Sequence, residues 1–220
     1  MTKTNKAQFN VKEAKDFRAT MAKWADAHGN INEKILSKQD FVKARRALIL
    51  SNQDAIDGKT TLVGRTIDEV KAENVKFEAE IDKASAELAE YKKAQSDRIA
   101  PAVALVTDAI YKAYSAFIMD AENAELYTAY ATAVRKFFED NGVVSGDVTV
   151  QALCAKTGAD RASARYEFKN GTTTKAMTKS KFVDLFIRSL CDIMRSVNAL
   201  PEYKYSYVPM KDREKKNNDK

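Results

Sequence analysis

The spacing of hydrophobic and polar residues predicts α-helices along most of the chain. In successive stretches between residues 10 and 199, apolar residues recur every three or four positions, which places them on one side of a helix. Only 7 Gly and 3 Pro among 220 residues leave few sites for the tight turns that a sandwich or barrel needs. We therefore expect an all-α helical bundle, folded as one domain or two small ones.

Two helices are predicted before residue 51. The first begins at Asn10, a residue type that caps free amides, and ends at Gly29, because glycine readily adopts the left-handed conformation that ends a helix. The second extends from about Lys38 to Leu50 and is capped by Ser37. Its expected inward residues are Phe41, Ala44, Leu48 and Ile49.

A long helix with a heptad repeat is predicted from Thr66 to about Ile99. Thr66 and Glu69 form a Thr-x-x-Glu capping box, which marks its start. The a and d positions that follow are mostly apolar: Ile67, Val70, Asn74, Phe77, Ile81, Ala84, Leu88 and Tyr91. Such a seam packs on another helix, either in a helical hairpin within the chain or in a coiled-coil homodimer. The charges beside the seam do not select a parallel homodimer, and Asn74 either sets the register or lies at a solvated edge.

Three more helices are predicted beyond the heptad helix. Pro101 fits the first turn of one of them, which has a broad apolar face from Val103 to Phe117. Another spans residues 124–140 and ends before a loop-forming Asn-Gly sequence. The last spans residues 178–199, and its inward residues are Phe182, Leu185, Phe186, Leu190, Ile193, Met194 and Val197. This last helix would cover the neighbouring module or mediate dimer contact.

A helix-turn-helix is predicted within residues 149–168. A first helix would bury Leu153 and end at Gly158, where glycine allows a sharp change of direction. Asp160 would then cap a second helix that reaches Phe168. In DNA-binding proteins with this architecture, the second helix enters the major groove.

The second helix of this module would present a stripe of cations. Arg161, Arg165 and Lys169 recur every four residues and therefore share one helix face. Such side chains meet phosphates and base edges in a major groove. The candidate nucleic-acid-binding residues are therefore Arg161, Ser163, Arg165, Tyr166 and Lys169. The alternative interpretation is a packing module without nucleic-acid contact.

The same stretch combines a Thr-Val opening, an apolar and small pair, a turn glycine and a terminal aromatic residue, in that order. The residues concerned are Thr149, Val150, Leu153, Cys154, Gly158, Arg161 and Phe168. This arrangement resembles the helix-turn-helix of the tetracycline-repressor family. The resemblance is confined to residues 149–168, and it implies a second helix that reads a DNA groove.

Two extended segments are predicted near the carboxyl end. The Lys-Asn-Gly sequence at 169–171, followed by three threonines, is typical of a tight β-hairpin, and a plain loop is the alternative. Between residues 203 and 207 three tyrosines alternate with polar residues, and basic residues follow. We expect residues 201–220 to form an extended basic tail.

Charge is distributed unevenly and divides the chain into segments. Residues 1–65 hold 13 basic and 7 acidic residues and form a basic helical segment, whereas residues 66–140 hold 9 and 15 and form an acidic helical bundle or hairpin. Residues 145–200 contain the helix-turn-helix-like module, and residues 201–220 form the tail. The net charge of +6 favours an anionic partner such as nucleic acid, with the acidic helices serving dimerisation or self-masking.

Candidate catalytic and metal-binding chemistry is sparse. One His and two Cys cannot supply the four ligands of a structural zinc site, so we expect Cys154 and Cys191 to be small buried hydrophobes in a reducing compartment. We find no local carboxylate pair, activated nucleophile or complete phosphate loop in the sequence. We therefore expect no metal, no cofactor and no enzymatic activity. Because neither a secretory signal nor a membrane-spanning stretch is found, a cytoplasmic location without membrane contact is expected.

These features predict an intracellular, mainly helical DNA-binding protein that acts through the helix-turn-helix-like module. The alternative is a non-enzymatic structural or assembly protein, for example of a viral particle, that acts through helical protein contacts. Self-association would use residues 66–99 or 178–199. A multimer that ignores DNA would favour the alternative.

Overall fold

The predicted all-α fold is confirmed. The computed structural model describes residues 9–159, 165–168, 171–174 and 177–201. The helices in these residues are α1 Lys15–Asp26, α2 Asn32–Ile56, α3 Ile67–Leu105, α4 Asp108–Met119, α5 Ala124–Asp140, α6 Asp147–Ala159 and α7 Lys179–Ser196, with a π-helical turn at Ala27–Ile31. The predicted tail beyond residue 201 lies outside the described residues.

Short strands form two antiparallel pairs. Strand β1 is Phe9–Asn10 and pairs with β2, Val144–Ser145. Strand β3 is Arg165–Phe168 and pairs with β4, Gly171–Thr174, so that Phe168 lies opposite Gly171. The β-hairpin predicted around the Lys-Asn-Gly sequence is therefore confirmed.

The chain forms two compact units that are interleaved in sequence. One unit comprises the described residues up to Ala25 and those from Arg98 onward, and we term it the bundle unit. The other comprises Asp26–Asp97 and is termed the hairpin unit. The boundaries fall near the end of α1 and within α3.

The bundle unit is built around aromatic side chains from α4, α5 and α7. The rings of Tyr114 and Phe182 stack with centroids 4.2 Å apart, and the Tyr130 hydroxyl lies 2.8 Å from Thr157 Oγ1. Helix α1 contributes Phe17, Met21 and Trp24 to the same core. The inward face predicted for the last helix is confirmed: Phe182, Phe186, Leu190, Ile193 and Met194 are buried, while Leu185 and Val197 are partly buried against the core.

The predicted start of the first helix is wrong. Phe9 is buried and packs edge to face on Phe138, with ring centroids 5.7 Å apart, so the chain enters the core as strand β1. Asn10 Oδ1 accepts a hydrogen bond of 2.9 Å from the Lys12 amide. This bond closes a local turn before the helix, so Asn10 does not cap the helix. Helix α1 begins only at Lys15.

The predicted helix end at Gly29 is also wrong. Gly29 lies in the π-helical turn that joins α1 to α2, and α2 starts at Asn32, before the predicted Lys38. A π-helical turn inserts an extra residue and disturbs the regular carbonyl pairing. Gln95 Nε2 donates a hydrogen bond of 3.1 Å to the Ala27 carbonyl in this turn. The chain can therefore stay helical through the glycine.

Pro101 does not begin a helix as predicted. Helix α3 continues through Pro101 to Leu105, and α4 begins at Asp108. Proline lacks the amide that would bond the carbonyl of Asp97, but Asp97 lies on an exposed part of the helix where water can bind that carbonyl. In the described part of the chain, no single helix is long and apolar enough to cross a membrane; α3 and α4 reach that limit only as a pair bent by 71°.

The prediction of a second helix in the helix-turn-helix is wrong at Arg165–Phe168. These residues form strand β3. Aromatic residues and threonines favour strands, and pairing with β4 satisfies the backbone groups of both segments. The first helix is present as α6, but it does not end at Gly158, since Ala159 is its last residue. A Cβ atom at Gly158 would lie 3.2 Å from Phe117 Cε1, so this glycine permits close helix packing and does not form a turn.

Candidate interaction surface on the helical hairpin

The structure describes two of the five predicted nucleic-acid-binding residues. Arg165 and Tyr166 lie on strand β3, while Arg161, Ser163 and Lys169 lie outside the described residues. Because Arg165 lies on a strand, it does not lie on a recognition helix of the kind that the sequence predicts. Nucleic-acid binding at these positions stays a prediction.

Helix α6 packs into the core of the bundle unit. Leu153, Cys154 and Thr157 are buried, and Thr157 Oγ1 donates a hydrogen bond of 2.8 Å to the Leu153 carbonyl. Burial raises the pKa of Cys154 and of Cys191 to about 12, so both thiols stay protonated at neutral pH. The interpretation of the cysteines as small buried hydrophobes is confirmed. Within the described ranges, no group of three or more His, Cys, Asp or Glu side chains is placed to hold a metal ion.

Helices α2 and α3 pack as an antiparallel hairpin with one constant register. Three polar contacts join them: Lys38 with Glu87, Arg45 Nε with Glu80 Oε2 at 2.7 Å, and Asn52 Nδ2 with Glu73 Oε2 at 3.0 Å. From each contact to the next, the position on α2 increases by seven residues and the position on α3 decreases by seven. We term these six residues the polar ladder. The heptad repeat predicted for α3 is therefore matched by a heptad repeat on α2.

The apolar seam of the hairpin lies beside the polar ladder. Val42 of α2 packs with Ile81 and Ala84 of α3, and Ile49 packs against this cluster. Asn74, at a predicted a/d position, accepts a hydrogen bond of 2.8 Å from Asn52 Nδ2. The seam predicted for α3 is thus packed against the chain's own α2, in an intramolecular hairpin. Self-association through residues 66–99 stays a prediction.

The polar ladder brings together the basic and acidic segments of the sequence. The hydrogen bond from Lys38 lowers the pKa of the Glu87 carboxyl, and hydrogen bonds from Arg65 and Asn52 lower that of Glu73. Charge from residues 1–65 therefore offsets charge from residues 66–140 within one hairpin. Two basic side chains of α2, Lys38 and Arg45, are therefore paired with acidic side chains of the same chain.

The inward face predicted for α2 is wrong at three positions. Phe41, Ala44 and Leu48 are exposed, with 37% of Phe41 and 43% of Leu48 accessible. Ile35 and Val42 are buried instead, and Ile49 is half-buried, because their seven-residue spacing matches the seam of α3. We term Phe41, Ala44 and Leu48 the outer stripe. Its three-and-four spacing is that of a helix-packing face, and the hairpin covers it only in part, with the Arg45 guanidinium 5.0 Å from the centroid of the Phe41 ring.

No family model, curated protein or solved structure matches the chain. The outer stripe is an apolar surface with the spacing of a binding face, and it lies on a helix held in a fixed register by the polar ladder.

Proposed function

We propose that this protein is a non-enzymatic structural or assembly protein that self-associates through its helical hairpin. The outer stripe is the observation that supports this function. A helix that packs on one neighbour needs one apolar face, whereas α2 has the seam around Val42 and a separate exposed stripe from Phe41 to Leu48. A second helix would remove that stripe from water.

A second copy of the chain is the partner that the outer stripe fits. Two α2 helices packed antiparallel about a two-fold axis would place Phe41 of one copy beside Leu48 of the other. Ala44 would then lie near the axis, where its small side chain allows the helices to approach closely. Lys38 and Arg45 lie beside the stripe and are paired with glutamates of α3. Because these cations are paired, they repel the same cations of a second copy less than unpaired cations would.

Nucleic-acid binding has weaker support than self-association. It required a helix carrying Arg165, and this residue lies on a strand. The remaining support is the net charge of +6, and two basic residues of the amino-terminal segment, Lys38 and Arg45, are paired with glutamates within the hairpin.

The test is sedimentation equilibrium on the full chain and on two matched variants of α2. The wild-type chain is expected to form a concentration-dependent dimer. Leu48→Glu is expected to weaken it at least tenfold, about 1.4 kcal/mol, because a buried carboxylate loses its hydration. Leu50→Glu is the control, since Leu50 is 65% exposed and lies about 200° around the same helix. A chain that stays monomeric at about 100 μM, or equal losses in both variants, would contradict the proposal.

Duplex DNA separates the two functions. Under the assembly proposal, electrophoretic mobility of duplex DNA is unchanged by the protein at physiological salt, and the dimer forms without DNA. A complex that Arg165→Glu abolishes, together with a monomeric free chain, would instead favour nucleic-acid binding.

A further inference from the structure

A cleft in the bundle unit has no part in the proposed self-association. It has a volume of about 650 Å³, within the range of small-molecule sites. It lies where the end of α4, the start of α5 and the second half of α6 meet. Residues that line it include Phe117, Ala121, Glu122, Tyr127, Ala155 and Gly158.

One wall of the cleft is aromatic and held in place by the core. The rings of Phe117 and Tyr127 meet edge to face with centroids 5.6 Å apart, and Phe117 also stacks on Tyr130 at 5.9 Å. Gly158 faces the Phe117 ring closely, since a Cβ atom there would lie 3.2 Å from Phe117 Cε1. The wall is therefore preformed, and a flat apolar group can pack on it without rearranging the core.

Among the residues that the structure describes, the rim of the cleft is acidic. Glu122 lines the cleft and is exposed, and Asp120 and Glu125 are exposed close by in the chain. The start of α5 is already capped, because Asn123 Oδ1 accepts hydrogen bonds from the amides of Glu125 and Leu126. The nearby cation Arg135 forms an ion pair of 2.7 Å with Asp147. The rim thus favours a positive over a negative ligand group.

We propose that this cleft binds a small organic cation with a flat apolar body, such as an aryl or quaternary ammonium compound. The apolar body packs against Phe117 and Tyr127, where the electron-rich ring faces also attract a cation. The charged group lies at the rim beside Glu122. This site is independent of the outer stripe, so the failure of either proposal leaves the other standing.

The test uses two probes of similar size and opposite charge, phenyltrimethylammonium and benzenesulfonate. Their binding to the full chain is measured by titration with saturation-transfer NMR. The cation is expected to bind at least about tenfold more tightly than the anion, and Glu122→Gln is expected to reduce that preference about threefold.

Two variants of α6 locate the site. Ala155 lines the cleft at an exposed position, so Ala155→Phe fills the cleft without disturbing the core and is expected to weaken cation binding at least about tenfold. Gln151→Phe, at an exposed position one turn earlier, is the control and is expected to leave binding unchanged. Absence of cation binding, equal binding of the anion, or unchanged binding in Ala155→Phe would overturn the proposal. Circular dichroism checks that each variant keeps its helical content.

Discussion

Arg45 shows how one side chain can join the two helices of the hairpin unit. Its guanidinium lies 5.0 Å from the ring centroid of Phe41 and 4.9 Å from that of Phe77, and its Nε lies 2.7 Å from Glu80 Oε2. A planar, weakly hydrated cation suits this place, because it can stack on two rings while it pairs with a carboxylate. Arg45 therefore contributes to the hairpin through packing as well as charge.

Replacement of Arg45 by alanine is expected to lower the free energy of unfolding by about 1 to 2 kcal/mol. Each cation–π contact at a partly exposed site contributes about 0.5 to 1 kcal/mol, and a surface ion pair adds less than about 1 kcal/mol. Urea unfolding followed by circular dichroism measures the loss. Arg46→Ala changes an exposed cation one residue further along and is expected to shift stability by less than about 0.5 kcal/mol. Equal losses in the two variants would show that Arg45 acts only through net charge.

At the residue scale, local chemistry was predictable and packing was not. The capping box is formed as predicted, with the Thr66 amide donating to Glu69 Oε2 at 2.8 Å and the Glu69 amide donating to Thr66 Oγ1 at 3.3 Å. Its partners are three residues apart, so the sequence alone defines it. The role of Gly158 could not be predicted from the local sequence. This glycine is needed for close packing on Phe117, which lies forty-one positions away, and no local pattern contains that contact.

At the element scale, the seam of α3 was predicted correctly except at Ile67, which is 45% exposed, whereas the inward face of α2 was predicted wrongly at most positions. Helix α2 carries two apolar series at helical spacing, one containing Phe41 and Leu48 and the other containing Val42 and Ile49. Amphipathicity alone cannot choose between them. The choice follows from the register of the polar ladder, which is a property of two helices together. The seven-residue repeat of Ile35, Val42 and Ile49 is the sequence signal that identifies the inward series.

The stability of the hairpin is expected to decrease in acid. The pKa values of Glu73 and Glu87 are lowered in the folded chain by hydrogen bonds, from Arg65 to Glu73 and from Lys38 to Glu87. Groups with a lowered folded pKa stabilise the fold above their unfolded pKa, and this contribution is lost as the pH falls through the folded value. The urea midpoint should therefore fall between about pH 5 and pH 3.

A double variant, Glu73→Gln with Glu87→Gln, provides the control for this pH dependence. It is expected to be less stable than the wild type at pH 7 and to show a shallower decline in acid. The decline should persist in part, since the pKa values of Glu69 and Asp108 are also lowered, by Thr66 and Lys179 respectively. Identical pH profiles for the variant and the wild type would mean that Glu73 and Glu87 contribute nothing to the pH dependence of stability.

At the scale of the whole molecule, the interleaving of the two units could not be predicted from local patterns. The bundle unit joins Phe9 to Phe138 and Phe17 to Phe137, contacts that span more than half of the chain. Periodicity identifies which residues are buried but not which partner buries them. The complementary charges of residues 1–65 and 66–140 were visible in the sequence, and the hairpin accounts for part of that complementarity.

The response of self-association to salt distinguishes an apolar interface from a charged one. If the outer stripe forms the interface, burial of Phe41 and Leu48 supplies the driving force, and salt screens only the minor charged contacts. The dimer dissociation constant, measured by sedimentation equilibrium from 50 mM to 1 M NaCl, is therefore expected to change by less than about threefold. An assembly held by exposed cations such as Lys43 and Arg46 on acidic surfaces would dissociate over the same range, as would a complex held by phosphate contacts. A loss of affinity of about a hundredfold at high salt would therefore assign the interface to charge and exclude the outer stripe as its main source of stability.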